Sequence, residues 1–259
     1  MSYSVYEILN YMDQWTKKEY ELSWDNSGRQ ISFDQKTDTV ILSLDIDDQV
    51  IEFAKKNKSK LILTHHPMFF VGLKQILQGT YQGDNIIRLI QEEISVYSAH
   101  TTLDIAKMGV NDALADLLDL KHKIPLSYEE ELPMGIVGDL KDGVDVKNFI
   151  AHLKEELDIP VVHLYGQGKE EIQRIGLCGG AGGEFMKDAV KKDVDLFITG
   201  DIKYHDGQYA YENHLLVLDL GHYHSEKIIL QKIESYLKQK FPLLKVEIYP
   251  KSNYEIPLL

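Results

Sequence analysis

Residues 39–67 read TVILSLDIDDQVIEFAKKNKSKLILTHHP, and this stretch decides the fold class. TVILSLDID has the length and apolar content of a buried strand, and KLILT is a second one. DDQVIEFAKKN between them has the acidic start of a short helix. Strand, crossover helix and strand imply a parallel pair, because parallel neighbours cannot be joined by a tight hairpin. The unit ends on His65 and His66, directly before Pro67. Neighbouring side chains on a strand point to opposite faces, so two histidines meant for one target must sit where the strand is already ending. Pro67 supplies that ending, since proline cannot extend the ladder and restricts the residue before it. LILTHHPMFF by itself fits a polar strand exit and a metal site equally well.

The same grammar continues in both directions. Downstream, DNIIRLIQEE reads as a helix and ISVYSA as a third strand ending in HTTLD, and GVNDALADLLDL opens another helix with Asn111 as its cap. Upstream, Ser4 and Glu7 stand at capping-box spacing before the apolar stripe Val5, Ile8, Leu9 and Met12. SWDNSGRQ then breaks the periodicity as a turn. Residues 121–174 are less regular, but MGIVGDL and IPVVHLYG read as strands flanking a helix whose stripe is Val146, Phe149, Ile150, Leu153 and Leu157. From Ile175 the earlier order returns as strand IGLCGG, helix GGEFMKDAVKK, strand DLFITG, a short helix, strand LLVLDL and then GHYHSEK. Setting VILSLDIDDQVIEFAKKNKSKLILTHH against IGLCGGAGGEFMKDAVKKDVDLFITGD aligns Thr64 with Thr199 after one residue of slippage. The expectation is an α/β fold of two similar lobes related by an internal repeat, with shared strand–helix–strand grammar as the alternative source of the similarity. The first lobe is expected over residues 1–125, completed by 216–259, and the second over 126–215.

Composition narrows the function. A chain of 259 residues with 44% hydrophobic content can bury a real core. A formal net charge of −13 argues against a general phosphate-binding surface, so nucleic acid is not expected as the main partner. MSYSVYEILNYMDQW lacks the pattern of a signal peptide, and no apolar run approaches the ~18 residues of a membrane span, which predicts a cytoplasmic protein. The single cysteine, Cys178, rules out an intrachain disulfide and a cysteine-based metal cluster. Chemistry falls to histidine, carboxylate and hydroxyl.

Ligand sites in open α/β sheets lie beyond the carboxyl ends of the parallel strands. THHP, HTTLD, TGDIKYHD and GHYHSE occupy such ends, and six of the ten histidines fall in them: His65, His66, His100, His205, His222 and His224. Asp104, Asp201, Asp206 and Glu226 stand beside them. Imidazole with carboxylate is the donor set for Zn, Fe, Mn or Ni. So many donors suit two divalent ions, and Asp104 and Glu226 are the candidates for bridging a pair about 3.5 to 4 Å apart. His222 and Glu226, four residues apart, can face one way at a helix start. His100 precedes Asp104 by four residues; it either holds its loop or transfers protons as a catalytic residue. The glycine run CGGAGG at 178–183 sits where a phosphate cradle would, but lacks the lysine of a P-loop and fits no G-x-G-x-x-G register.

WDNSG, LILTHHPMFF, YSAHTTLD, GVNDAL, FITGDIKYHD and GHYHSEK, in this order along nearly the whole chain, resemble the Nif-three-like family, also known as dinuclear metal-centre hexameric proteins and GTP cyclohydrolase I type 2 homologues. The resemblance implies metal ligands at His65, His66, Asp104, His222 and Glu226, two α/β lobes with the site at strand ends between them, and a toroidal homohexamer. It further implies a metal-dependent hydrolase opening the imidazole ring of GTP at C8 with formate release. A metal-ion carrier handling iron, or a metal-stabilised interaction scaffold without turnover, remains the alternative. One departure is Arg29, where relatives commonly carry leucine.

Overall fold

The computed structural model describes residues 1–252 and 254. The fold is α/β, and the chain divides into two compact units, one comprising Met1–Ala106 with Leu230–Tyr254 and the other Lys107–Ile229. The divisions fall at 106/107 and 229/230, where 125/126 and 215/216 were expected. The reason is packing. Leu114, Ala115 and Leu120 share one core with Ile175, Leu177, Leu196 and Ile198, and Leu216 and Leu218 join the same core. Among the described residues no helix is long and apolar enough to cross a membrane.

In the first unit a five-stranded sheet runs in the order Lys245–Ile248, Thr39–Ser43, Leu61–Thr64, Ser95–Ser98, Gly28–Ile31. All pairs are parallel except the last. The pair opened by residues 39–67 is parallel, as its crossover helix over Asp48–Lys56 requires, with Ile41 opposite Ile62. Asp47 caps that helix by accepting from Val50 N at 2.7 Å. Ile41, Ile62 and Val96 pack with Val50, Ile51, Ala54 and Leu89 on one face. Val40, Leu42, Leu61 and Leu63, of the opposite parity, are equally buried, so both faces are covered and the strands read as continuous apolar runs.

Two expected caps are replaced. Ser4 precedes the helix Val5–Trp15 but makes no side-chain cap bond; the short strand Tyr3–Ser4 pairs with Lys36–Thr37, and Val5 N donates to Gln35 O. The helix Val110–Leu117 follows Gly109, not Asn111. Asn111 lies inside it and accepts from Gly179 N at 3.0 Å. Arg29 points outward from the antiparallel edge strand, over the Tyr6 ring and bonded to Asp13 at 3.1 Å, so the charge is accommodated without entering the core.

The second unit carries a six-stranded sheet in the order Lys121–Glu129, Leu132–Asp145, Glu171–Leu177, Leu196–Thr199, Leu216–Asp219, His163–Gly166. Its three middle strands are parallel and the flanking ones antiparallel. The helix Val146–Glu156 buries Val146, Phe149 and Leu153 as its stripe predicts. The long hairpin of Lys121–Glu129 with Leu132–Asp145 was not anticipated; it turns through Glu130 and Glu131, both at positive φ.

Candidate metal centre

Several of the parallel strands hand the chain to donor residues at their carboxyl ends. In the first unit Thr39–Ser43 is followed by Asp45, Leu61–Thr64 by His65 and His66, and Ser95–Ser98 by His100 and the short helix Thr101–Ile105 that carries Asp104. His65 is fully buried. One nitrogen from each of His65, His66 and His100 lies within 4.8 Å of the others. Their ring centroids are 5.0 to 5.7 Å apart. His65 Nε2 faces Asp104 Oδ1 at 3.6 Å, wider than a hydrogen bond.

The other ring nitrogens show how these imidazoles are aimed. His65 Nδ1 donates to the Ala99 carbonyl at 2.7 Å. His66 Nδ1 donates to Asp45 at 2.8 Å, and His100 Nδ1 to Asp25 at 2.8 Å. A carbonyl or carboxylate can only accept, so in each neutral ring Nδ1 carries the proton and Nε2 the lone pair. Such outer partners are the usual way of fixing a histidine that binds metal through its remaining nitrogen. Asp25 is itself held by Ser27 Oγ at 2.6 Å, and by Thr101 through its hydroxyl at 2.6 Å and its N–H at 3.1 Å. Burial, the largest single influence on Asp25, opposes ionisation; the bonds from His100, Ser27 and Thr101 together outweigh it and hold the carboxyl well below the usual carboxylate range.

The second unit repeats the device at the end of Leu216–Asp219. His222 opens the short helix His222–Glu226 and its Nδ1 donates to Asp201 Oδ2 at 2.8 Å. Its Nε2 lies 3.4 Å from Glu226 Oε2, one helical turn on. Glu226 is almost wholly buried. Asp201 follows Leu196–Thr199 with φ of +57°, uncommon for a residue with a side chain.

The glycine run forms a wall here and not a phosphate cradle. The N–H groups of Gly179, Gly180 and Gly182 are taken by Asn111, Ser225 and Thr199, which leaves none of the three for an anion. Gly180, at φ +65°, lies against the Glu226 carboxylate.

Of the expected residues, His65, His66, His100 and Asp104 are brought together in the first unit, and His222 and Glu226 in the second. His205 bonds Gln208 within its own exposed helix, and Asp206 caps that helix through Lys203 N. Burial and the Lys227 charge pull the His224 imidazole down to about 4, so it stays neutral. Sequence reasoning missed Asp25 and Asp45. Asp45 stands at a strand carboxyl end, so the rule that found His65 would have found it; Asp25 lies in WDNSG, a motif read only as a turn.

A family model described as Duf34/NIF3 (NGG1p interacting factor 3) matches residues 3–255. Two similar proteins, from Campylobacter jejuni and Clostridium perfringens, are each called GTP cyclohydrolase 1 type 2 homolog. The first is 34% identical, covering 90% of this chain and 91% of its own, and the second 34% identical, covering 95% of each. Among solved structures, a Bacillus cereus protein related to NIF3 superposes with a TM-score of 0.91 at 20% identity, covering 99% of both chains. That likeness speaks for the fold.

Proposed function

Because the chain belongs to the Duf34/NIF3 family, and because imidazoles with committed Nδ1 atoms stand at its strand ends, we propose that it is a dinuclear metal-binding hydrolase acting on a purine nucleotide. The residues that would hold two divalent transition ions, drawn from Zn, Fe, Mn and Ni, are His65, His66, Asp104, His222 and Glu226. What carries the reading is the uniform anchoring of Nδ1 in His65, His66 and His222. It leaves Nε2 as the donor in every proposed histidine ligand. The pair of ions supplies activation of water near neutral pH.

The chain's own residues do the rest. His100 presents Nε2 beside His65 and His66 and takes or returns a proton there, while Asp25 at Nδ1 fixes the tautomer and steadies the imidazolium. The name shared by the relatives supports GTP as the first substrate to test, with ring opening at C8 and release of formate. The same proposal takes the protein as a cytoplasmic homohexamer and its two units as copies of one strand–helix–strand ancestor. Helix-linked parallel strands ending in donor residues, present in each unit, support that descent.

The test is metal quantification on purified protein, then a nucleotide panel assayed with each metal restored, and light scattering for the assembly. Metal-dependent release of formate from GTP is the expected result. Bound metal that exchanges rapidly into an apo-acceptor, with no nucleotide turned over, would replace the hydrolase by a carrier.

A further inference from the structure

Two large aromatic rings stand half-exposed around His100, and neither contributes to the core. Trp24 is 51% and Phe70 50% exposed. The Trp24 ring centroid lies 5.8 Å from that of His100 with planes at 76°, and the Phe70 centroid 5.4 Å away at 89°. Both are edge-to-face contacts of ordinary length. Both rings therefore touch the imidazole while keeping half their surface open to solvent.

The loops that carry them are built. The Trp24 turn is fastened to the His100 segment by His100 N donating to Ser27 Oγ at 3.1 Å, by the Asp25–His100 bond, and by Leu22 N donating to Thr101 Oγ1 at 3.2 Å. The Phe70 loop is fastened to that same turn. Asn26 Nδ2 donates to Phe69 O, Phe69 N to Gln30 Oε1 at 3.3 Å, and Gln30 Nε2 to Asn26 O at 2.7 Å. Two segments distant in sequence are thus tied together, with an aromatic side chain of each beside His100. Solvation alone gives no reason to fix a tryptophan and a phenylalanine in the open there.

We infer that Trp24 and Phe70 form a stacking platform that grips a planar heteroaromatic ring and sets it against His100. This rests on the hydrolase reading for its purpose and deepens it by naming the part of the substrate the protein holds. Stacking on an aromatic side chain tolerates many rings, because each has a π face, and is worth about 1–3 kcal/mol per base.

The chain has two tryptophans, and Trp15 is buried against Tyr236, so emission changes on ring binding report Trp24. Metal-loaded protein titrated with guanosine should show saturable quenching, GTP should do the same, and ringless tripolyphosphate should not. Trp24→Phe should abolish the quenching yet bind guanosine with comparable affinity by calorimetry. Trp24→Ala and Phe70→Ala should each weaken guanosine roughly 5- to 150-fold with metal content unchanged.

Guanosine affinity unaltered in both alanine variants would overturn the platform. So would alanine variants that change the oligomeric mass and leave guanosine binding intact, since the rings would then be a subunit contact. Guanosine binding that depends on both rings, without turnover of any nucleotide, upholds the platform and sinks the hydrolase. Turnover indifferent to both rings does the reverse.

Discussion

A Cβ on Gly180 would lie 2.3 Å from Glu226 Oε1, closer than any real contact allows, and 3.4 Å from His222 Nε2. The backbone of the glycine run is therefore one wall of the pocket that shapes the buried carboxylate. Gly180→Ala should push Glu226 out of place, with added strain from the left-handed φ. Elemental analysis should find less bound metal than in wild type, with an unchanged far-UV circular dichroism spectrum. Full metal content would show that Glu226 tolerates displacement.

Removing ligands should act more directly. His66→Ala and Glu226→Ala, one from each unit, should each lower metal content, as should a chelator applied to wild type. Wild-type stoichiometry in both variants would remove the proposed ligand set.

His100 and Asp25 make a pair whose loss should be felt in rate. General acid or base assistance is worth about 10² to 10⁴, so His100→Ala should reduce turnover by that order. Asp25→Asn, which offers an amide in place of a carboxylate acceptor, should reduce it in the same direction. Metal content separates two roles for His100, whose nitrogen lies among those of His65 and His66: retained ions assign it to proton transfer, lost ions make it a ligand.

Asp195 supplies a pH-dependent contribution to stability away from the candidate centre. Burial disfavours its charge, but Lys169 Nζ at 2.6 Å and the N–H groups of Gln173 and Arg174 at 3.0 and 2.9 Å prevail, so its pKa in the fold is lowered. A carboxyl lowered on folding stabilises above its unfolded value, about 3.9, and loses that contribution as pH falls through its folded value. Asp195→Ala should therefore cost about 1–3 kcal/mol at neutral pH. In denaturant titrations the gap to wild type should close below about pH 4; a gap that persists into strong acid would mean the loss is one of packing.

The hairpin turn offers a gain of stability. Glu130 and Glu131 have φ of +48° and +69°, where residues with a Cβ are strained by about 1–2 kcal/mol each. Replacing them with Asn and Gly, the preferred pair for a two-residue turn of this hand, should raise stability by about 1 kcal/mol after the entropy of the glycine is counted. A thermal midpoint at or below that of wild type would count against a left-handed turn.

That same turn shows why part of the fold was not legible. The parallel strands were, because burial on both faces writes them as the apolar runs of residues 39–43 and 61–64. The hairpin lacks the Asn-Gly signal its geometry favours, and its first strand, KHKIPLSYE, is largely exposed, so no pattern marked it. Ser4 and Asn111 have the chemistry of caps, but strand pairing at Val5 and the glycine loop at Gly179 decided their surroundings, and both are tertiary facts. In the candidate centre, histidines at strand ends announced themselves. Asp25 and Asp45 did not, because an aspartate in a turn is ordinary until the ring it faces is known.

The anchored imidazoles have a consequence for the metal-free protein. Rings already held by Asp45, Asp25, Asp201 and a main-chain carbonyl have little rotational freedom left to surrender when an ion arrives. Under the proposed metal binding, capture would ask for desolvation but hardly any rearrangement, so one ion could follow another without the polypeptide unlocking. Choice among metals would then fall to donor chemistry and abundance instead of to a conformational gate.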